Sequence, residues 1–302
     1  MRRGRLPARR GAFATALALG AMLSLGGCAS DQAGYTPKWY VEPVKAMPTY
    51  AEVAGRYNAR IKGLEKLRFP ANLVIDSPGE EDGARRTNQV EANVQFVAPR
   101  QIALRVDKVS NTLAYLGCDE TRYWWLDLDA KRALVGEHAK ATPRSASRFG
   151  IPVHPLDLID LLGVTGLPGA GATATWNEDQ TLWVVTLPAR GKGWGERTIA
   201  IDPDTAEPQR IEIFEASGEL AASAELSRFV PVAVRGEVLS KARIASRFEV
   251  EVPATDSTIV VSVSQPENPA ERMRAAPFDL PLLLKSYGIK DVVDVDKAAA
   301  SK

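Results

Sequence analysis

The sequence predicts a mainly β protein of about 11–13 antiparallel strands with a few helices. Three observations carry that reading. Apolar residues alternate with polar ones at a period of two, as in Val90, Ala92, Val94 and Phe96 against Gln89, Glu91, Asn93 and Gln95. Short polar turns recur between such runs, at Ser110-Asn111, Asp119-Glu120-Thr121, Asp129 to Arg132, Asn177 to Gln180, Asp202 to Thr205 and Ser217-Gly218. Helical periodicity is confined to a few segments, and no boundary demands a second β domain.

The chain opens with Arg2, Arg3, Arg5, Arg9 and Arg10, followed by an apolar run from Ala12 to Leu25 that is too short and too rich in small residues to span a membrane. This is a secretory signal, and Arg9-Arg10 faintly resembles a twin-arginine variant. Leu25-Gly26-Gly27-Cys28 resembles the bacterial lipobox, in which the Cys sulfur takes a diacylglyceryl group and becomes the new N-terminus. The plainer alternative is an ordinary signal cleaved nearby, with the Cys28 thiol incidental. Paired acyl chains give a lasting anchor where a single chain does not. Ala29, standing where Asp would favour inner-membrane retention, resembles the outer-membrane default.

Residues 1–27 thus read as a lipoprotein signal, 28–48 as lipidated Cys28 and a flexible tether, 49–266 as the β domain and 267–302 as a C-terminal tail. The tether carries Pro37, Pro43 and Pro48, with Trp39 and Tyr40 suited either to a membrane interface or to packing on the domain.

Thr49-Tyr50-Ala51-Glu52 is a capping box that starts a helix. Tyr50, Val53, Ala54, Tyr57, Ile61 and Leu64 then mark its packed face, and the basic residues opposite mark a solvated one or a contact with anionic headgroups. Strands follow from Phe69, with Asn72 to Asp76 beginning the first and a Pro78 to Gly83 loop after it. Pro99 ends the Val90 to Phe96 strand, and Ile102, Leu104 and Val106 continue the meander. Tyr123 to Leu128 turns and returns through Ala133 to Gly136. His154 to Gly163 reads as a short helix closed by glycine, apolar over most of its circumference and so either buried or plugging something apolar. Ala172 to Trp176, Leu182 to Leu187, Arg197 to Ile201, Gln209 to Phe214, Leu220 to Phe229, Ile244 to Val252 and Ile259 to Val263 supply the remaining strands. In the tail, Pro277, Pro281 and Leu282-Leu283-Leu284 suggest a short docking helix followed by disorder.

The Gly117-x-Asp119-x-x-x-Tyr123-Trp124 hairpin, the preceding helix and the strand ending at Pro99 together resemble the bacterial lipoprotein-sorting proteins of the LolA and LolB type. Ile201-Asp202-Pro203, Pro208-x-Arg210-Ile211 and Gly218 resemble the second half of the same sheet. The likeness spans about Ala46 to Pro266. It implies an incomplete, open antiparallel β-barrel with helices over its mouth, and a lid role for Leu158, Ile159 and Leu162. It also implies an apolar ligand, a lipid or acyl chain, held against wall candidates Val94, Phe96, Trp125 and Trp183. Which strand face points inward is left open. The membrane-bound receptor of that family presents a loop with an exposed leucine, whereas the connection Lys108 to Thr112 is short and has none. The soluble carrier, conversely, has no lipid anchor.

Chemistry is sparse. Only His138 and His154 are present, and no nucleophile elbow, phosphate loop or metal-spaced ligand set occurs. Gly191-x-Gly193-x-Gly195 lies between strands and reads as a hairpin loop. Asp127/Asp129 and Asp202/Asp204 sit at turns, where Asp bonds the local backbone, while Asp157 and Asp160 share a helical face that would turn toward water. Cys118, beside Asp119 and Glu120, suits packing rather than reactivity. Lys plus Arg total 38 against 37 for Asp plus Glu, and the signal removes several arginines, so the mature chain is mildly acidic and nucleic acid is not an expected partner. The expected protein is non-catalytic, with no cofactor and no metal. Its expected partners are the membrane through Cys28, the apolar ligand and, as further candidates, other lipoproteins. The competing reading is an envelope module that binds a protein or peptide, as stress-sensing relatives do.

Overall fold

The computed structural model describes residues 45–79, 83–109, 111–149, 154–191, 193–234 and 241–300. The signal, the Leu25 to Cys28 motif and the tether up to residue 44 lie outside the described residues.

Helix α1 (Tyr50–Arg60) begins at the capping box, with Glu52 N donating to Thr49 Oγ1 at 3.3 Å and Thr49 N donating to Glu52 Oε2 at 2.7 Å. Its buried face is Val53, Ala54 and Tyr57. The first meander then runs β1 (Lys66–Pro78), β2 (Arg85–Val97), β3 (Gln101–Lys108), β4 (Asn111–Cys118), β5 (Arg122–Asp127) and β6 (Arg132–Glu137). Strand β1 starts well before Asn72, because its pairing with β2 is unbroken from Lys66↔Val97 to Pro78↔Arg85. Two short helices follow, α2 (Pro143–Ala146) and α3 (Pro155–Asp160). Gly163 ends this segment at φ +65°, and a Cβ there would meet Pro208 Cγ at 2.7 Å, so both conformation and space require glycine.

The second meander is β7 (Thr173–Trp176), β8 (Trp183–Leu187), β9 (Trp194–Ile201), β10 (Pro208–Glu215), β11 (Leu220–Pro231), β12 (Ala233–Val234), β13 (Arg243–Val252), β14 (Ser257–Val263) and β15 (Glu267–Asn268). Helix α4 (Leu280–Tyr287), strand β16 (Asp291–Asp294) and helix α5 (Val295–Ala300) complete the chain. The sixteen strands among the described residues form one sheet, ordered β16-β6-β5-β4-β3-β2-β1-β14-β13-β11-β10-β9-β8-β7, with β12 and β15 as a small parallel annex. The meanders join where β1 pairs antiparallel with β14, and the two ends of the order, β16 and β7, do not meet. The sheet is therefore an open, unclosed barrel. Without the two-residue β12 and β15 and the C-terminal β16, the count falls within the range expected from the sequence.

The sheet has two apolar faces. Inside, Leu67, Phe69, Val94, Phe96, Ile199, Ile211 and Phe248 form a core with α1 and α3. Outside, Ala103, Tyr115, Trp124 and Leu126 pack against Phe278, Leu280 and Leu283 of the tail. The tail is thus ordered through α5 rather than ending after one helix. Asp279 caps α4 by accepting from Leu282 N at 3.0 Å, Gly288 terminates it at φ +66°, and the next strand pairs parallel with β6.

Candidate functional site: a hollow sheet under a short helix

Helix α3 is only six residues long, too short to be stable alone. It is held in place from three sides. Pro155 occupies its first turn, and His154 caps it by accepting from Leu156 N through Nδ1 at 3.2 Å. Burial, with Arg190 close by, pushes the His154 imidazole down to about 4, so it is neutral at pH 7. Beyond the helix, Tyr57 of α1 donates to Gly163 O at 3.1 Å, and Asn58 bonds both ways with Leu167, donating at 3.0 Å and accepting at 2.8 Å.

The third restraint is ionic. Asp157 and Asp160 are 1% and 5% exposed, contrary to the expectation that their shared face turns to water. That face instead meets the β8–β9 hairpin, which brings in Arg190 and Arg197. Arg197 Nη1 lies 2.9 Å from Asp157 Oδ1, Arg190 Nη2 lies 2.8 Å from Asp160 Oδ2, and Arg190 Nε also pairs with Asp157. Thr165 Oγ1 adds a bond to Asp160 Oδ1 at 2.7 Å. Desolvation outweighs both cations and leaves the Asp157 carboxyl above its ordinary range.

On its other side α3 covers a cavity of about 270 Å³. Strands β1 to β3 contribute Phe69, Leu73, Val94, Ile102 and Leu104, β13 and β14 contribute Phe248, Val250 and Val261, and α3 contributes Leu158 and Ile159 with Leu162 just after it. Trp125 lines it from β5. Pairing explains the choice of face on β5, where Tyr123 belongs to the inner core while Trp124 and Leu126 belong to the outer cluster, so Trp125 points inward. Cys118 closes one wall. Its thiol donates to Arg100 O at 2.8 Å, and burial pushes it up to about 12, which makes it a packing group.

Two wall candidates lie elsewhere. Phe96 shares the inward face of β2 with Val94 but is one pleat further on, and it lines a second cavity of about 470 Å³. Trp183 is buried beneath α1, with the Arg56 guanidinium 4.8 Å above its ring, because β8 lies near the opposite end of the sheet order from β3 to β5. The second cavity is on the far side of α3 and is the more polar of the two, though mixed: Lys62, Glu65, Arg100, Asp160, Arg190 and Arg197 line it together with Leu156, Phe96, Val164, Leu187 and Ile199.

The turn between β3 and β4 carries no leucine, yet Val109 at its tip is 90% exposed with φ +47°. Among the described residues, no group of three or more His, Cys, Asp or Glu side chains could hold a metal ion, and no helix is long and apolar enough to cross a membrane.

No family model and no curated protein sequence matches the chain. Solved structures do. A candidate outer membrane lipoprotein-sorting protein domain from Vibrio parahaemolyticus superposes with a TM-score of 0.55 at 13% identity, covering 78% of this chain and 97% of that one. A LolA superfamily protein from Nitrosomonas europaea gives 0.53 at 9% identity, covering 78% of this chain and 99% of that one. The fold is LolA-like, and the likeness runs over nearly the whole length of both neighbours.

Proposed function

We propose that this chain, whose fold is LolA-like, is a membrane-anchored, periplasm-facing lipoprotein that holds a lipid or acyl chain in the cavity beneath α3, with lipoprotein localisation as its setting. The observation that supports this most directly is the cavity wall. Leu73, Val94, Leu104, Leu158 and Leu162 surround a space that the chain's own side chains leave unfilled. Each methylene buried there contributes about 0.8 kcal/mol, which favours an extended hydrocarbon over a polar solute. Binding of this kind needs no proton transfer or covalent step. Lipidated Cys28 would anchor the domain to the outer membrane through the tether of residues 28–48.

Native mass spectrometry of the full chain carrying Cys28→Ser, purified without detergent, tests the reading. Co-purifying lipid, or uptake of a fluorescent fatty acid displaced by palmitate, is the expected result. A clean unliganded mass with no uptake would overturn the carrier reading and favour the protein-binding module.

A further inference from the structure

Helix α3 is a partition. Leu158, Ile159 and Leu162 face the apolar cavity, while Leu156 and Asp160 face the polar one. The two spaces are consecutive along the inner face of β2, since Val94 lines the first and Phe96 the second. A step of two residues along a strand is about 6.6 Å, a distance spanned by a few methylenes.

The polar chamber has donors to spare. The two aspartates of α3 balance Arg190 and Arg197 in charge but do not saturate them. Arg197 is 8% exposed, and its Nε has no partner among the described residues. Leaving such a donor unbonded in a buried site carries a cost that an acceptor would remove. Arg190 spends Nε and Nη2 on Asp157 and Asp160, which leaves Nη1 over among the described residues. Lys62 and Arg100 add exposed positive charge to the lining, and Glu65, the nearby acid, is occupied in accepting from Gly63 N at 2.9 Å.

We propose that the polar cavity behind α3 is the subsite for an anionic headgroup, carboxylate or phosphate, of an amphiphile whose chain lies in the apolar cavity. This rests on the acyl-binding reading and names the class of ligand. Arg197 Nε and Arg190 Nη1 would donate to the headgroup, because a guanidinium suits either oxyanion. Asp160 in the lining and Asp157 beside it are then the anions those two arginines already hold. An arriving headgroup competes with them for the same two arginines, so filling the polar chamber loosens the hold on α3 and admits the tail beside it.

The test compares palmitic acid, hexadecyl phosphate and hexadecanol as displacers of a fluorescent fatty acid from the full chain with Cys28→Ser. The anionic ligands should displace about tenfold more tightly than the alcohol, and the gap should shrink in salt. It should also close in Arg190→Gln and narrow in Lys62→Ala/Arg100→Ala, a pair of exposed residues outside the ion cluster that holds α3. Equal binding of all three would overturn the headgroup site while leaving the carrier reading standing. No binding of any would overturn the carrier reading itself. Sodium phosphate alone raising the melting temperature as much as hexadecyl phosphate would overturn the amphiphile form of the proposal, since the tail would then add nothing.

Discussion

The two faces of the sheet receive helices in opposite ways. On the outer face, α4 inserts Leu280 and Leu283 among Tyr115, Trp124 and Leu126, and the apolar surface is filled. On the inner face, α3 lies across Phe69, Val94 and Phe248 and leaves about 270 Å³ open. The anchoring differs in kind as well. Helix α4 is held by hydrophobic burial and by caps at both ends, whereas α3 adds to the burial of Leu156 and Ile159 a charge cluster, one neutral imidazole and side chains reaching from α1. Packing makes a permanent joint. A six-residue helix that lies over a hollow and takes much of its hold from polar contacts can be displaced without unfolding what surrounds it.

The sharpest way to break this contrast is Arg197→Ala, which leaves the buried aspartates of α3 short of a cation. Removal of one member of such a cluster costs about 3–5 kcal/mol, and thermal unfolding should show it as a large loss of stability. Leu283→Ala should cost about 2–5 kcal/mol through the void it creates in a filled region, with fatty-acid uptake unchanged. A shift in uptake would mean that the outer joint is not independent of the cavity. Leu158→Phe is the converse. It grows into existing space, so the stability change should stay under about 2 kcal/mol while acyl affinity falls by about tenfold, as read by the same displacement assay.

The smallest effect is titration of His154. Its folded pKa of about 4 lies below its ordinary value of 6.5, so the unfolded chain binds more protons between those values. Its contribution to stability is whole above pH 6.5 and is lost as pH falls toward about 4. Chemical denaturation at pH 7 and pH 5 should show the loss, and His154→Asn, which keeps a capping side chain, should flatten it. An unchanged slope would remove the imidazole from the list of restraints on α3.

What could be read from the chain without its structure follows the range of the interactions. The capping box of α1 acts over three residues and is visible in the letters Thr49 and Glu52. Strand alternation is equally local, and it puts Val94 and Phe96 on one face of β2 without saying that this face is the inner one. It does not say which chamber a position one pleat further on will meet, and Phe96 went to the polar one. The clamp on α3 was out of reach for the same reason. Asp157 and Arg190 are 33 residues apart in sequence, and only the β8–β9 hairpin brings them together. Two carboxylates on one helical face therefore looked solvated when they were the most enclosed charges of the site. The order of the tail is not legible in the sequence because β16 has four residues, two of them Asp, and pairs in parallel with no hairpin turn to announce it.

That parallel pairing has a consequence for molecules in a crowd. An open sheet has two raw borders, and each is a template on which a second chain can grow by backbone hydrogen bonding. Residues Asp291 to Asp294 lie along Arg132 to Val135 and close one border with the chain's own end, leaving aspartates at both ends of the new rim. The other border is β7, only four residues long. An unclosed sheet of this kind thus presents only short or charged borders to neighbouring chains, and its openness lies in the hollow interior.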